Sequence, residues 1–380
     1  MKVLYILHTT VMGGATLSFF TMIKGLKDLG ITPIVVIPAN KKINPFFLKE
    51  VEKIQLQYEK VYLCQSVSFE TNGFNLYIQK IKRQLLPLRK KYSYICLKQL
   101  VKKIKPDIIH TNTGVIHEGF IVARELGIPH VWHLREYQEL DFKLKIYPSF
   151  DFFCKLLKQS FTISITKGIN EYFKLTHCEK AKVIYNGIFD KDHVCYFPKE
   201  KYFLCASRIS PEKGISDVIL AFNDFQQEHN DYKLLIIGAG NKKYIETLRH
   251  IADNSSCKNS VQFIGFVENV IPYMAKAKAL VVASHNEGFG RMTAEACFCG
   301  SLVIGRNSAG TKEILEQTGG IFFNNIAEIK KAMQIIAEMP EEEYKKLALH
   351  AQNIAVQTYS IENNVNQVYS FYMHILKNHD

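Results

Sequence analysis

Residues 2–40 read KVLYILHTTVMGGATLSFFTMIKGLKDLGITPIVVIPAN, and this stretch decides the fold. The apolar run KVLYIL ends in a loop that contains Gly13 and Gly14, and apolar residues at helical spacing then continue as far as Gly30. A second apolar run, ITPIVVIPAN, follows directly. A strand, a glycine loop, a helix and a second strand in this order predict a βαβ unit with parallel strands.

The same alternation of short apolar runs and helical patterns continues along the rest of the chain. Further strands of the first half are predicted at PDIIHTN, IPHVWHLRE and FTISIT, which begin at residues 106, 128 and 161. The polar segment DKDHVCYFPKEK (residues 190–201) interrupts the pattern, and a second alternation begins after it. We therefore predict an α/β protein with two doubly wound, Rossmann-like domains, the first over residues 1–190 and the second over residues 195–358.

Positive charge is concentrated in the first half of the sequence. The 380 residues carry a formal net charge of +12. Residues 1–200 contain 30 Lys and Arg against 17 Asp and Glu, a net charge of +13, whereas residues 201–380 contain 18 against 19 and carry −1. This asymmetry indicates that the first half meets an anionic partner, either a nucleic acid or the headgroups of a bilayer.

The basic residues are densest in FNLYIQKIKRQLLPLRKKYSYICLKQLVKKIK (residues 74–105), where apolar residues recur every three or four positions on both sides of Pro87. This pattern predicts a pair of amphipathic basic helices. Their role is either contact with an anionic membrane surface or ordinary packing with a solvated lysine face, and the pattern alone does not separate these two. A nucleic acid is not predicted as the partner, because no helix-turn-helix, zinc-finger or RNA-binding signature accompanies the charge.

The N-terminal sequence and the cysteines predict a cytoplasmic protein with reduced thiols. The opening apolar run is too short for the core of a signal peptide, and no stretch approaches the roughly 18 apolar residues of a membrane span. The nine cysteines are scattered without paired spacing. Cys297 and Cys299 form a C-x-C pattern, but no second Cys or His pair with ligand spacing accompanies them, so we predict no metal site.

Two loops that follow predicted strands contain groups suited to anions. Gly13 and Gly14 precede the first helix, where backbone N–H groups and a close approach of the backbone suit a phosphate. A tight turn is the alternative explanation. In SRISPEKG (residues 207–214), Arg208 and Lys213 lie on either side of a Ser-Pro turn, so both cations can point at one diphosphate. Solvated surface cations are the alternative there.

A third loop, SHNEGFGRMTAEA, covers residues 284–296. Glu287 follows a predicted strand, Gly288 and Gly290 leave the backbone accessible, and a helix starts near Gly290. Glu295 lies eight residues after Glu287, about a turn and a half into that helix. Carboxylates accept paired hydrogen bonds from sugar hydroxyls, and the start of a helix attracts a phosphate. Two buried carboxylates without hydroxyl or cation partners would be costly, so the arrangement predicts a ligand.

Together these residues resemble the retaining glycosyltransferases of family 4, which have the two-domain GT-B fold, and the resemblance covers essentially the whole chain. Its most specific element is the E-x7-E motif from Glu287 to Glu295. The R-x4-K-G motif at residues 208–214, the GGA loop at residues 13–15 and YNGI at residues 185–188 support it, in the order expected for the family. The resemblance implies two domains facing a central cleft, with the terminal helix of residues 360–380 packing back on the first domain.

The resemblance also implies how a substrate is bound. The second domain would bind a nucleotide diphosphate sugar as the donor, and the first domain would face the acceptor. Arg208 and Lys213 would hold the diphosphate, Glu287 would hold hydroxyls of the donor sugar, and Glu295 would hold the ribose hydroxyls. The segment IGFVEN (residues 264–269) would lie near the base.

The remaining donor contacts come from glycine loops and from the first domain. Backbone groups of five further residues would cover the phosphates and the sugar: Gly13, Gly14, Gly288, Phe289 and Gly290. His133 matches the histidine that faces the sugar in many members of the family, with a buried structural histidine as the alternative. Arg135 and Glu136 either line the acceptor or pair with each other. Arg291 departs from the apolar residue of many relatives, and it either touches a donor substituent or pairs with an acid.

The function implied by this resemblance is transfer of a sugar, with retention of the anomeric configuration, to a glycan or a lipid-linked acceptor. The predicted catalytic residues are His133, Arg208, Lys213 and Glu287. No cofactor and no obligatory metal are expected. Capsule, exopolysaccharide or lipopolysaccharide assembly would fit, carried out in the cytoplasm or peripherally on the inner face of the plasma membrane. Two alternatives stay open: a nucleotide-sugar epimerase of the same fold, and a non-catalytic protein that binds nucleotide sugars or glycans.

Overall fold

The computed structural model describes residues 1–69 and 84–378, which form two compact units. Unit 1 consists of Met1–Gly187 together with Ile361–Asp380, and unit 2 consists of Ile188–Ser360. Each unit is built around a parallel β-sheet covered by helices. The predicted α/β class with two Rossmann-like domains is therefore confirmed.

Unit 1 contains a seven-stranded sheet in the order β3-β2-β1-β5-β6-β8-β9, in which every described strand pair is parallel. A separate antiparallel pair joins β4 and β7. The strands are β1 Lys2–Ile6, β2 Thr32–Pro38, β3 Gln57–Val61, β4 Val67–Phe69, β5 Ile108–Thr111, β6 His130–Leu134, β7 Leu144–Ile146, β8 Phe161–Ser164 and β9 Ala181–Val183.

The described helices of unit 1 before the crossing into unit 2 are α1 Gly14–Asp28, α2 Pro45–Lys53, α3 Leu86–Ile104, α4 Glu118–Leu126, α5 Glu139–Phe142, α6 Phe150–Lys158 and α7 Lys167–Tyr172. The strands β1, β2 and β5 are buried along almost their whole length, because helices cover both faces of a parallel sheet. This explains why the apolar runs that predicted them are nearly continuous and do not alternate.

The second part of the basic segment is helical, as predicted. Pro87 lies in the first turn of α3, where a missing N–H costs nothing. The segment from Leu86 to Ile104 is one helix of 19 residues. Residues 70–83, which include the first part of the predicted helix pair, lie outside the described residues.

Unit 2 contains a six-stranded parallel sheet in the order β12-β11-β10-β13-β14-β15. Its strands are β10 Glu200–Ala206, β11 Lys233–Ile237, β12 Val261–Gly265, β13 Ala277–Val282, β14 Leu302–Arg306 and β15 Ile321–Phe323. Its α-helices are α8 Ile215–Gln226, α9 Lys242–Asp253, α10 Ile271–Lys276, α11 Arg291–Phe298, α12 Ala309–Thr318, α13 Ile326–Glu338 and α14 Glu341–Tyr359.

The chain returns to unit 1 as helix α15, Ile361–Lys377, which packs against α1. Val365, Val368 and Tyr372 of α15 are buried in the same apolar core as β1 and β2. A Cβ atom on Gly25 of α1 would lie 2.5 Å from Cγ2 of Val365, so glycine is what allows these two helices to approach.

All nine cysteines lie among the described residues and are free thiols. Cys297 in α11 and Cys299 directly after this helix are both buried. Within the described ranges, no group of three or more Cys, His, Asp or Glu side chains could hold a metal ion. No helix over residues 1–69 and 84–378 is long and apolar enough to cross a membrane.

Unit 1 buries the side chains of His110, His117, His130 and His133. Burial lowers the pKa of His117 and of His130 to about 3, and it lowers the pKa of His110 and His133 well below the ordinary value, with help from the positive charge of Arg135. These side chains are therefore neutral in the folded protein at pH 5. In the unfolded chain, histidines take up protons as the pH falls below about 6.5.

We expect unit 1 to lose stability as the pH falls below about 6.5, because the unfolded state then binds more protons than the folded state. Replacing His117 by Phe, which can keep the stack on Phe153, removes one such histidine. Between pH 5.5 and 4.5 the variant should show a slope of unfolding free energy against pH that is shallower by about 1.4 kcal/mol per pH unit. Fluorescence of the single tryptophan, Trp132, which is buried in unit 1, reports the transition.

His177→Phe is the control for this experiment, because His177 is exposed in the same unit and its replacement should leave the slope unchanged. An equal change of slope in both variants would contradict the assignment of the acid sensitivity to buried histidines.

Candidate functional site

The strand order of unit 2 places two loops side by side at the carboxyl edge of its sheet. Strands β10 and β13 are parallel neighbours, and the sheet continues from β10 to β11 on one side and from β13 to β14 on the other. The strands that follow β10 and β13 are thus added on opposite sides of this central pair. The position between β10 and β13 is the topological switch point of the sheet, where ligands bind in open parallel sheets. The loop after β10 carries Arg208 and Lys213, and the loop after β13 carries Glu287.

Lys213 connects these two loops directly. It ends a single 3₁₀ turn, Pro211–Lys213, and its Nζ lies 2.6 Å from Oε1 of Glu287. Gly214 follows with φ +63°, and a Cβ there would lie 2.4 Å from the carbonyl oxygen of Ala283, so a glycine is needed. The side chains of Lys213 and Glu287 are 17% and 24% exposed, so this ion pair at the carboxyl edge of the sheet is mostly buried but still reached by solvent.

Arg208 lies on the outer side of the same loop. Its Nη2 donates to Oε1 of Glu212 at 2.7 Å, and both side chains are largely exposed. The sequence predicted that Arg208 and Lys213 point together at one diphosphate. In the structure each of the two cations contacts a different carboxylate.

Backbone hydrogen bonds hold the loop of Glu287 in place. The amide of His285 donates to the carbonyl of Glu212 at 3.0 Å, and the amide of Gly310 donates to the carbonyl of Glu287 at 2.8 Å. A Cβ on Gly310 would lie 2.3 Å from the carbonyl oxygen of Phe289, so the loops after β13 and β14 are in direct backbone contact. Phe289 itself points inward, and its ring packs edge-on against Tyr359.

Helix α11 begins immediately after this loop and carries the second acid. Gly290 precedes the helix with φ +88°, and in this described part of the chain no side chain caps the helix start. Glu295 is buried, and its Oε1 accepts a hydrogen bond from Nε of Arg291 at 2.7 Å. Burial raises the pKa of the Glu295 carboxyl, while the charge of Arg291 acts in the opposite direction.

The sequence predicts a ligand here, because buried carboxylates at Glu287 and Glu295 without hydroxyl or cation partners would be costly. Each acid has its own cation, Lys213 for Glu287 and Arg291 for Glu295. Of the two alternatives for Arg291, the structure therefore places it in a pair with an acid.

Several residues at this edge were missed by the sequence analysis. Thr293 in α11 and Thr311 in α12 have buried hydroxyls without a hydrogen-bond partner among the described residues. The Thr311 hydroxyl lies 3.3 Å from where a Cβ of Gly290 would be. The segment Ser308–Thr311 follows β14 just as the predicted loops follow β10 and β13. A glycine soon after a predicted strand, here Gly310, could therefore have indicated this segment from the sequence.

In unit 1, Gly13 and Gly14 follow β1, which borders its own switch point with β5. Gly13 precedes α1 with extended backbone angles, and a Cβ on either glycine would meet no atom within 4 Å. Neither the backbone nor the packing of this unit therefore requires glycine here, which leaves open space beside the start of the helix.

His133 lies near the end of β6 in a buried polar cluster with His110 and Arg135. Its Nδ1 lies 3.1 Å from Nε2 of His110 and 3.4 Å from Nη2 of Arg135. Arg135 donates to the side-chain oxygens of Asn112 and Asn186 at 2.8 Å each, so amides hold its charge. Asn186 belongs to the YNGI motif, whose role in unit 1 is to hold this arginine.

Glu136 follows Arg135 in the chain and is partly buried. Burial, together with the charge of Asp141, raises the pKa of Glu136 to about 7. A hydrogen bond with Thr113 and the charge of Arg135 act in the opposite direction.

Comparison with known proteins gives a family for unit 2. Residues 192–354 match the family described as Glycosyl transferases group 1. This match includes Arg208, Lys213, Glu287 and Glu295, so the whole candidate site of unit 2 lies within it.

Two relatives extend the likeness beyond these residues. An uncharacterized glycosyltransferase of Methanocaldococcus jannaschii is 26% identical over 57% of this chain, and the match spans 61% of that relative, less than two thirds of its length. An alpha-monoglucosyldiacylglycerol synthase of Streptococcus pneumoniae is 25% identical over 72% of this chain and 68% of that protein.

A solved structure covers almost the entire chain. HepE of Anabaena in complex with UDP superposes with a TM-score of 0.79 at 21% identity, covering 98% of this chain and 100% of that chain. At this identity the likeness shows the fold. The chain therefore has the GT-B fold, and its residues 192–354 match the glycosyl transferases group 1.

Proposed function

We propose that the protein is a retaining glycosyltransferase that moves a sugar from a nucleotide diphosphate sugar to a glycan or lipid-linked acceptor. The observation that carries this proposal is the Lys213–Glu287 pair at the switch point of unit 2. It puts a cation for phosphates beside a carboxylate for hydroxyls, and these are the two chemical groups that adjoin each other in a nucleotide sugar.

The pair also suggests how the site responds to a donor. A diphosphate carries more charge than one carboxylate, so it would attract Lys213 away from Glu287. Glu287 would then be free to accept hydrogen bonds from hydroxyls of the sugar. Arg208 can likewise leave its exposed partner Glu212 to bind a phosphate. This exchange costs little free energy, because exposed ion pairs contribute little to stability.

Glu295 is suited to the ribose. One of its carboxylate oxygens is occupied by Arg291, which fixes the orientation of the group. The other can accept from two neighbouring ribose hydroxyls. The backbone of Gly288, Phe289 and Gly290 and the uncapped start of α11 lie between Glu287 and Glu295 along the chain, where the phosphates would be.

The chemical step needs positive charge more than a nucleophile. Departure of the nucleoside diphosphate places negative charge on the phosphate nearest the sugar, and Lys213, Arg208 and the start of α11 would stabilise it. The acceptor hydroxyl would attack from the face that the leaving group vacates and pass its proton to the departing phosphate. This route gives retention and requires neither a protein nucleophile nor a metal ion.

The surface of α3 supports an acceptor at a membrane. Leu85, Leu88, Tyr92 and Ile95 are exposed at a spacing of three or four residues, so they form one apolar stripe. The exposed Lys102 and Lys103 follow on the same helix, in the half of the sequence with a net charge of +13. We propose that this surface rests on anionic headgroups, where lipid-linked precursors of cell-surface polysaccharides are held.

Replacing Lys213 by Met should lower kcat by about 100-fold, because one preorganised charge on the leaving group is worth about this much. The measurement is release of nucleoside diphosphate from a panel of nucleotide sugars in the presence of membrane lipid extract or oligosaccharide acceptors. Lys201→Met is the matched control, since Lys201 pairs with Asp231 on the surface of the same unit. Conversion of the donor into an epimer without any acceptor would contradict transfer, and equal activity of both variants would contradict the role of Lys213.

Replacing Glu295 by Gln should reduce the preference for a ribonucleotide over its 2′-deoxy form. A hydrogen bond to a charged group is worth about 1.5–3 kcal/mol, so the wild-type protein should bind the ribonucleoside diphosphate at least about 10-fold more tightly. The variant should lose most of this difference, measured by calorimetric titration. Glu313→Gln, in the neighbouring helix α12, is the control. An unchanged preference in Glu295→Gln would place the ribose elsewhere.

Reversing Lys102 and Lys103 to Glu should weaken binding to vesicles that contain about one third anionic lipid. Each lysine near such a surface contributes about 1 kcal/mol, so the partition coefficient should fall by about 10-fold or more, and added salt should weaken wild-type binding. The control reverses Lys345 and Lys346 on the exposed side of α14, with the same change of net charge. Equal loss in both variants, or no wild-type binding, would contradict a membrane role for α3.

A further inference from the structure

A chain of buried hydrogen bonds connects the terminal helix to His133 within unit 1. The hydroxyl of Tyr372 in α15 lies 2.6 Å from Nδ1 of His110, and Nε2 of His110 lies 3.1 Å from Nδ1 of His133. The hydroxyl of Tyr5 lies 3.2 Å from that of Tyr372. All four side chains are at most 1% exposed, so water does not compete for these contacts.

Arg135 determines where the proton of His133 is. A guanidinium group has only donors, so the nitrogen that faces it at 3.4 Å, Nδ1 of His133, must be an acceptor. A neutral imidazole carries one proton, and in His133 that proton is therefore on Nε2. The charge of Arg135 is secured by Asn112 and Asn186, neither of which can take a proton from it.

The same reasoning extends to His110 and Tyr372. Because Nδ1 of His133 is an acceptor, Nε2 of His110 must carry the proton that lies between the two rings. Nδ1 of His110 is then an acceptor as well, and the hydroxyl of Tyr372 donates to it at 2.6 Å. Each contact from Tyr372 to His133 thus has one donor and one acceptor, in a single consistent direction.

His133 has one polar atom left over. Its Nε2 is buried and has no hydrogen-bond partner among the described residues, although a buried N–H without a partner costs free energy. Burial and the charge of Arg135 keep the pKa of His133 well below its ordinary value, so the ring is neutral near pH 7. A bound ligand with an oxygen acceptor at this position would remove the cost.

We propose that Tyr372 and His110 are positioning residues that hold His133 in the Nε2–H tautomer, so that His133 presents a hydrogen-bond donor to an oxygen of a ligand. The identity of the ligand rests on the proposed function, whereas the tautomer does not. In this tautomer Nε2 has no lone pair, so His133 does not act as a base toward the acceptor hydroxyl. Tyr372 of the terminal helix thereby helps to determine which ring nitrogen of His133 carries the proton.

The direct test is NMR of the full chain labelled with ¹⁵N-histidine, at pH 7.5 and without ligand. The His133 signals, assigned by their loss in His133→Gln, should show a neutral ring with the proton on Nε2. Tyr372→Phe removes the donor to His110 and should introduce a detectable population of the Nδ1–H tautomer of His133. A neutral ring with the proton on Nδ1 in the wild-type protein, or a charged ring, would overturn the proposal.

Tyr369→Phe is the matched control, because it makes the same substitution about one turn earlier on α15 and changes no atom of the chain from Tyr372 to His133. Its spectrum should equal that of the wild-type protein. If Tyr369→Phe and Tyr372→Phe shifted the tautomer equally, the effect would be a general loosening of α15, and the role of Tyr372 would be refuted.

Turnover gives a second readout. A glutamine amide can place an N–H near the position of Nε2, whereas the shorter asparagine places it near Nδ1. His133→Gln should therefore retain at least about five-fold more kcat/KM than His133→Asn, the equivalent of one neutral hydrogen bond. The reverse order would overturn the donor role. Absence of transfer with every nucleotide sugar would refute the proposed function instead, and the tautomer would still be decided by the NMR spectrum.

Discussion

Parallel pairing of β10 with β13 is the constraint on which the candidate site depends. Because both strands end at the same edge and the sheet grows in opposite directions from them, their loops are adjacent without any helix between them. The contact of Lys213 with Glu287 is possible only for that reason, although 74 residues separate them. The backbone contact of Gly310 with Phe289 adds the loop after β14 to the same edge, so three separate segments form one surface.

Unit 1 follows the same plan but uses its carboxyl edge differently. Around β5 and β6 it buries neutral imidazoles, a charged guanidinium and amides, where unit 2 places partly exposed ion pairs. Partly exposed pairs can exchange partners when an anion arrives. In a fully buried polar cluster, breaking a hydrogen bond costs more free energy, so the partners and the positions of the protons stay fixed. We infer that the ion pairs of unit 2 can release their cations to an anion, and that unit 1 by itself contains a rigid hydrogen-bond donor, His133.

The fold and the position of the site could be predicted from the sequence because both depend on local patterns. Continuous apolar runs mark buried parallel strands, and the glycines and charges that follow them mark the carboxyl edge. The partner of Glu287 could not be predicted in this way, because Lys213 reaches Glu287 only through strand order. The spacing of Arg291 and Glu295, four residues apart on one helix, does favour their pairing. The buried contacts of Tyr372 and His110, which are 262 residues apart, depend on the return of α15 to unit 1.

Hydrogen exchange of the full chain, with and without a saturating nucleoside diphosphate, tests whether the diphosphate binds at the carboxyl edge of unit 2. Binding there should slow exchange in three segments of unit 2 that are far apart in sequence, residues 207–214, 284–295 and 308–311. The helices α9 and α13 of the same unit should change little. Protection confined to other parts of unit 2, or no protection by UDP, GDP, ADP or dTDP, would contradict binding at this edge.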